Sequence, residues 1–409
     1  MNHGERWQGG LAAAAVTIAA AGAILAGTQA REGIARSAEA AVPAPGCEKS
    51  AAPAQPVLDK VRTASLDVPT APFGVVYGPK GGQAFVALGP EIGVLTGGFP
   101  PKLERRVALP KGSLGESGAT GLAVTHDGQH LLVATGTGAI VLDAGKLASG
   151  GANPVLGTLT GTAGSSAVQV SVSPDDRFAF VSQEYGNEQT GNRGAVEVFD
   201  LAKALHSGFG AGSYVGHIVL GRSVVGTALS PDGKRLYATS EVAPGGEQGQ
   251  LSVLDVGELE SSPGTALLGA VSASCQPVRV AAAPDGRTVW VTARGSNALL
   301  AFDAGKLTTD PAHARRASVQ VGTAPVGLTM TADGERVVTA DSNRFQAPGA
   351  STGLSVVDTQ AALAGRPALG RIPTGAFPRE LALSPDGRTV LAANAGAKKV
   401  QAVDTATLP

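Results

Sequence analysis

A short turn motif recurs along the chain at nearly even intervals. Ser-Pro-Asp-Gly occupies 230–233 and 384–387, and degenerate copies begin at residues 78, 125, 173, 283 and 331. The third residues of successive copies are 47 to 57 residues apart. A repeat of this length is typical of solenoids and propellers, so the motif predicts seven copies of one structural unit.

Each copy of the motif separates two apolar runs, and two more runs follow it. In the fourth unit the runs are VVGTALS (224–230), RLYAT (235–239), QLSVLD (250–255) and ALLGAV (266–271). Proline fixes φ and glycine accepts a positive φ, so the motif is predicted to form a hairpin turn. Four strands per unit, repeated seven times, predict an all-β fold: a seven-bladed β-propeller.

The two ends of the repeat region complement each other. The last unit supplies three strands and stops at Pro409, while a spare strand, VRTASLDVP (61–69), precedes the first unit. We therefore expect a propeller over residues 61–409 whose last blade is closed by the N-terminal strand. Such closure removes an exposed sheet edge that would otherwise pair with another chain.

The first sixty residues differ from the rest in composition. Residues 11–27 are uncharged and apolar, Arg6 precedes them, and Thr28-Gln29-Ala30 offers small residues at a cleavage position. This pattern predicts a signal peptide over 1–30, with an uncleaved N-terminal anchor as the alternative. Either places the remainder outside the cytoplasm, as a secreted, periplasmic or cell-envelope protein. Residues 31–60 are rich in alanine and proline, and are predicted to be an exposed linker.

The last repeat resembles a known type of unit. The segment PRELALSPDGRTVLAANAGAKKVQAVDTATLP (378–409) is similar to the YVTN-type β-propeller repeat, and the units at 225–256 and 277–304 are nearly as similar. This resemblance implies the fold shared by the seven-bladed, lactonase-like proteins. It does not imply one function, because propellers include enzymes, binding proteins and scaffolds.

Charge and motif content narrow the functional classes. Lys+Arg 32 against Asp+Glu 33 gives a net charge of -1, so we expect no nucleic-acid partner. The six histidines lack metal-ligand spacing, and no nucleotide or haem motif is present, so no metal or cofactor is predicted. Cys47 and Cys275 are predicted either to form a disulfide that ties the linker to the top face or to remain separate thiols.

One face of the propeller carries the candidate binding loops. The loops between second and third strands are long in three units, at 183–194, 241–250 and 341–353. All three are expected on the same face, here called the top face, where the innermost strands also begin. Long loops in compact domains are often functional, although neutral insertion is the alternative.

Six residues are candidates for ligand binding at this face: Arg279, Arg379, Glu380, Glu184, Tyr185 and Arg344. Two guanidinium groups can hold a carboxylate or a phosphate, whereas pairing with Glu380 or Glu184 would make them structural. Arg379, Glu380, Arg279 and Glu184 are also the candidate catalytic residues. Arg379 ranks first, because the resemblance to lactonase-like proteins includes a similar Pro-Arg pair before the final unit.

The third strands of six units end in aspartate: Asp143, Asp200, Asp255, Asp303, Asp358 and Asp404. They are far apart around the predicted ring, so we expect them to bond backbone amides rather than to act as paired acids.

Two functional hypotheses follow. The first is an exported, non-catalytic monomer that binds a protein, a glycan or a small molecule through its top face and central channel. The second is a lactonase-like hydrolase that opens a sugar lactone or a related cyclic ester, with Glu380 or Glu184 as the base that activates water.

Overall fold

The computed structural model describes residues 41–409 except 49, 117 and 165. The predicted signal peptide (1–30) and the first ten residues of the predicted linker lie outside the described residues. None of the helices in the described part of the chain is long and apolar enough to cross a lipid bilayer.

The described residues form an all-β, seven-bladed propeller of four-stranded antiparallel sheets, which confirms the predicted fold class. Blade 1 contains β2 (Val75–Tyr77), β3 (Gln83–Ala87), β4 (Glu91–Thr96) and β5 (Leu103–Ala108). Blade 2 contains β6 (Leu122–Val124), β7 (His130–Thr135), β8 (Gly138–Asp143) and β9 (Val155–Thr160). Blade 3 contains β10 (Ala167–Val172), β11 (Phe178–Gln183), β12 (Ala195–Asp200) and β13 (Tyr214–Val219).

The remaining blades follow the same order. Blade 4 contains β14 (Arg222–Leu229), β15 (Arg235–Val242), β16 (Gln250–Asp255) and β17 (Leu267–Ser272). Blade 5 contains β18 (Pro277–Ala282), β19 (Thr288–Ala293), β20 (Ala298–Asp303) and β21 (Arg315–Gln320). Blade 6 contains β22 (Pro325–Met330), β23 (Arg336–Asp341), β24 (Gly353–Asp358) and β25 (Gly370–Pro373). Blade 7 contains β26 (Pro378–Leu383), β27 (Thr389–Asn394), β28 (Lys399–Asp404) and, as its outer strand, β1 (Thr63–Asp67).

Strand β1 joins the two ends of the repeat region. It pairs antiparallel with β28, with Leu66 opposite Val400. The Lys399 ammonium lies 2.8 Å from the Asp67 carboxylate, and the Arg62 guanidinium pairs with Asp404. These contacts give β28 a partner along its outer edge.

The turn motif has the same internal bonds in different blades. The Ser230 hydroxyl donates to Asp232 Oδ1 over 2.6 Å, and Gly233 has a φ of 70°. The Ser384 hydroxyl donates to Asp386 in the same way, over 2.5 Å. The hydrogen bond from Ser230 lowers the pKa of Asp232. Serine, aspartate and glycine therefore recur because each closes part of the hairpin.

Five short helices follow the third strands: α1 (Ala144–Ser149), α2 (Leu201–Ser207), α3 (Val256–Ser261), α4 (Lys306–Thr309) and α5 (Thr359–Leu363). The six aspartates at the strand ends each accept a backbone N–H over 2.7–3.1 Å, as predicted. The helices themselves were not predicted, because four to seven residues are too few to show a helical period.

Replacing the aspartate that caps α2 tests this role. Asp200 accepts the N–H of Lys203 over 2.8 Å, so Asp200→Ala should lower the free energy of unfolding by about 1 kcal/mol. Asp200→Asn, which keeps the acceptor, should lose only a small part of that stability in the same denaturant titration. Equal losses in the two variants would mean that the hydrogen bond is not the stabilising contact.

Residues 41–60 form an ordered arm on blades 5 and 6. Cys47 and Cys275 are joined by a disulfide, with their Cα atoms 5.5 Å apart. The Glu48 N–H donates to the Gly295 carbonyl over 2.7 Å, and the Ala52 N–H donates to Thr323 Oγ1 over 2.8 Å. Most of its residues are exposed, but these contacts tie the segment to the propeller, and the disulfide is one of the two alternatives predicted for Cys47 and Cys275. These hydrogen bonds are made by backbone N–H groups of the segment, and such bonds do not require a periodic pattern of side chains that the sequence would show.

Candidate functional site

Seven side chains, one from each blade, surround the top end of the central channel. This channel ring comprises Phe73, Thr120, Val168, Val225, Val278, Val326 and Arg379. Each lies five residues before the first residue of its blade's turn motif. Four valines and the phenyl ring of Phe73 pack together as one apolar cluster. Arg379 is the one charged member of the ring.

The backbone turns sharply just before the ring residue. In blades 4 to 7 the residue two positions earlier has a φ of 50–52° without being glycine: Ser223, Gln276, Ala324 and Phe377. The pairing of the innermost strand then shifts at the ring residue itself, as between Val224 and Gly226 in β14. Such bulges redirect side chains and bend the strand, which accounts for the position of the ring residues at the channel.

A cavity of about 370 Å³ lies on the ring. Its other lining residues are Ser166, Glu184, Tyr185, Glu241, Arg279, Arg294 and Arg344. The cavity therefore brings together five of the six residues predicted to bind a ligand, and all three long loops contribute to it. Glu380, the sixth, does not line the cavity but is bonded to Arg279.

Arg279 and Glu380 link blade 5 to blade 7. Arg279 Nη2 lies 2.7 Å from Glu380 Oε2, and Arg279 Nε donates to the same oxygen over 2.9 Å. Arg279 Nη1 also donates to the Val225 carbonyl, over 3.0 Å. Arg279 is therefore paired with Glu380, which was the structural alternative to a role in ligand binding. Because Glu380 is held by this pair, it is poorly placed to act as a base toward a substrate in the cavity.

A second ion pair, between Arg294 and Glu241, was not predicted. The two groups are 2.8 Å apart, and both side chains are largely buried. Burial raises the pKa of Glu241 and lowers that of Arg294. Glu241 begins one of the three long loops, and the length of that loop was the sequence feature that placed it at the candidate binding face. Arg294 follows β19 in a short turn, where the sequence gives no sign that it reaches the cavity.

Arg379 has neither an ion pair nor a hydrogen bond to any described residue. Its guanidinium carbon lies 3.6 Å from the centroid of the Phe73 ring and 5.1 Å from that of Phe377. Its Nε is buried without a partner. Burial, followed by the nearby Arg279 charge, lowers the pKa of Arg379 to about 10. The stacked faces leave the edge of the guanidinium, with its forked donors, for a ligand.

Arg344 comes from the long loop of blade 6. The base of this loop is fixed by Ser342, whose hydroxyl donates to the Ala324 carbonyl over 2.7 Å and accepts the Arg344 N–H over 3.2 Å. Among the described residues, no ion pair or side-chain hydrogen bond engages the Arg344 guanidinium. Two guanidinium groups of the cavity, at Arg344 and Arg379, thus make no ion pair or side-chain hydrogen bond with the described part of the chain.

The charge balance of the site is positive. Four guanidinium groups, from Arg279, Arg294, Arg344 and Arg379, face three carboxylates, from Glu184, Glu241 and Glu380. Two of the carboxylates are used in the ion pairs, and the charge of the nearby Glu184 raises the pKa of Tyr185. A ligand with one negative charge would neutralise the excess. In the described part of the chain, no cluster of three or more His, Cys, Asp or Glu could hold a metal ion.

Asp341, at the start of the loop that carries Arg344, makes the stability of the protein depend on pH. It is completely buried, where it accepts hydrogen bonds from Thr339 and Ser355 over 2.9 and 2.5 Å. Burial raises its pKa to about 7. Between about pH 4 and this value, the folded chain holds a proton that the unfolded chain has lost, so stability falls as the pH rises.

Asp341→Asn should remove this part of the pH dependence. The wild type should lose up to roughly 1.4 kcal/mol of unfolding free energy per pH unit from this group between pH 4 and 7. Denaturant titrations at pH 5 and 8 should therefore show the variant gaining stability relative to wild type at the higher pH. The same difference between the two proteins at both pH values would contradict the protonation of Asp341.

Comparison with known proteins supports the fold class. The chain is similar to the solved structure titled Kuenenia stuttgartiensis Hydrazine Synthase, with a TM-score of 0.64 and 18% identity over 84% of this chain and 98% of that one. It is also similar to a chain in the crystal structure of the mitotic checkpoint complex, with a TM-score of 0.65 and 16% identity over 90% of this chain and 98% of that one. At these identities the likeness shows the β-propeller fold alone.

No family model matches the chain, and no curated protein matches it. The fold implied by the resemblance to the YVTN-type repeat is therefore supported, whereas membership of that repeat family is not confirmed.

Proposed function

We propose that this chain is a non-catalytic binding protein that holds an anionic group of its ligand in the cavity on the channel ring. The observation that carries the proposal is Arg379, whose guanidinium stacks on aromatic rings and whose buried Nε has no ion pair or hydrogen bond among the described residues. Burying an unpaired charge is costly, and proteins normally pair such groups. A ligand carboxylate or phosphate would supply the missing partner.

The neighbourhood of Arg379 supports an anion rather than a cation. Arg344 is the second unpaired guanidinium in the cavity, and together the two groups can bind an anion from two sides. Five other positions of the channel ring hold four valines and Phe73, whose side chains have no hydrogen-bond acceptor that could compete with a ligand for Arg379. The excess of one positive charge in the site favours a monoanion over a dianion.

We also propose that the protein acts outside the cytoplasm. The apolar run at 11–27 has the composition of a signal peptide. The disulfide between Cys47 and Cys275 supports the same location, because such bonds persist in oxidising compartments.

The hydrolase alternative has weaker support. Its preferred base, Glu380, is engaged by Arg279. Glu184 remains as a cavity carboxylate without an ion pair in the described residues, and a hydrolase would need it to activate water. Turnover of a lactone that is lost in Glu184→Gln would favour this alternative over simple binding.

Ligand binding to the wild type and to Arg379→Val tests the proposal. Valine occupies the ring position in four other blades, so the substitution is designed to preserve the fold. Acetate and inorganic phosphate should raise the melting temperature of the wild type, and the variant should bind them about 100-fold more weakly. The control is Arg366→Val, an exposed arginine beyond α5 at the opposite face. Equal binding by all three proteins would refute the proposal.

A further inference from the structure

A second cavity adjoins the first on the top face, between blades 2 and 3. Its volume is about 680 Å³, and it shares Ser166 and Tyr185 with the cavity on the channel ring. We call this second cavity the hydroxyl groove, after the residues that line it. A ligand bound to Arg379 and Arg344 can therefore continue into it without leaving the protein surface.

The hydroxyl groove offers many short polar groups and almost no charge. Its hydroxyl-bearing residues are Ser113, Thr135, Thr137, Thr158, Thr160, Ser166 and Tyr185. Glycines occupy four further positions, and Glu116 is the one charged residue among the described lining residues. Hydroxyls both donate and accept, so such a wall suits a ligand that also carries many hydroxyl groups.

Tyr185 stands where the two cavities meet. This large aromatic residue is 58% exposed, and the nearby Glu184 charge raises its pKa. An exposed aromatic ring with one polar edge can pack against the apolar face of a ring-shaped ligand while bonding the polar substituents of that ligand. Glu184 accepts hydrogen bonds only, and therefore favours ligand hydroxyls near this point.

We propose that the ligand is an acidic oligosaccharide. The carboxylate of one sugar residue binds Arg379 and Arg344, the ring of that residue or the next packs on Tyr185, and a neighbouring sugar occupies the hydroxyl groove. This inference rests on the proposed anion site, and it deepens that proposal by assigning the remainder of the ligand. It also accounts for the polar hydroxyl groove beside a site whose excess charge one anionic group would neutralise.

Calorimetry with a graded set of ligands tests the inference. The set comprises acetate, inorganic phosphate, glucuronic acid, glucuronate- and galacturonate-containing disaccharides, their carboxyl-reduced analogues, and the dipeptide Gly-Asp. At least one acidic disaccharide should bind about tenfold or more tightly than acetate, and its carboxyl-reduced analogue should bind about 100-fold more weakly than the acidic form.

Two substitutions at Tyr185 distinguish the contribution of sugar packing on this residue from that of the anion site. Tyr185→Ala should weaken binding of the acidic disaccharide about tenfold more than it weakens binding of acetate, whereas Tyr185→Phe should keep most of the affinity for the disaccharide. If acetate or phosphate binds as tightly as every acidic sugar, or if Gly-Asp binds more tightly than all of them, the glycan assignment is wrong and the anion site stands. If no anion binds, or Arg379→Val binds them normally, the proposed function itself fails.

Discussion

Arg279→Met should lower the free energy of unfolding by about 3–5 kcal/mol, because it leaves the largely buried Glu380 carboxylate without its partner. Three hydrogen bonds of 2.7–3.2 Å join the two side chains, and a fourth joins Arg279 to the Val225 carbonyl. The pair also ties blade 5 to blade 7 across the channel. Equilibrium denaturation of the purified chain measures the effect.

The double variant Arg279→Met/Glu380→Leu provides the control. Removing both charges eliminates the unpaired carboxylate, so the double variant should recover a large part of the stability lost by Arg279→Met. We expect a coupling energy of about 1–3 kcal/mol in the double-mutant cycle. Additive losses from the two single substitutions would show that the contact between the side chains does not stabilise the fold.

A chain that begins at Thr70 should lose cooperative folding or aggregate, because it lacks β1. Strand β28 would then expose its outer edge, from Lys399 to Asp404, to other chains. The loss of the buried Val61 and Val68 side chains alone should remove roughly 3–6 kcal/mol. Light scattering and thermal unfolding measure the two consequences.

The matched control is a chain that begins at Val61. It loses the arm and the disulfide but keeps β1, so it should remain a folded monomer with reduced stability. The comparison separates the closing strand from the arm that precedes it. The role of β1 would be contradicted if both truncated chains were equally stable and monomeric.

Much of the fold was predictable because the propeller repeats the same local chemistry in every blade. The turn motif and the apolar runs fixed the blade number, and the aspartates after the third strands were correctly assigned to backbone bonding. The short helices were missed, since α4 has only four residues and no period to detect. For residues 41–60, the disulfide to Cys275 was one of two predicted alternatives, whereas the hydrogen bonds to blades 5 and 6 were missed because backbone groups of the segment make them.

Part of the candidate site could also be predicted from the sequence. Arg379 was predicted from its place at the start of the last unit and from the resemblance to lactonase-like proteins, and the long loops indicated Glu184, Tyr185 and Arg344. The pairing of Arg279 with Glu380 stood as one of two alternatives, because the sequence could not tell which groups meet across the channel. Arg294 was missed, since its position at the cavity depends on the packing of a short turn against a neighbouring loop.

Arg379 is the central residue of the proposed anion site, and one variant tests its role most directly. Arg379→Val introduces the residue of four other blades and removes a guanidinium whose buried Nε has no hydrogen-bond partner in the described residues. If Arg379 serves a ligand, the variant should be at least as stable as the wild type, with a gain of up to about 2 kcal/mol, and should lose anion binding. A less stable variant that still binds anions as the wild type does would show that Arg379 supports the fold rather than a ligand.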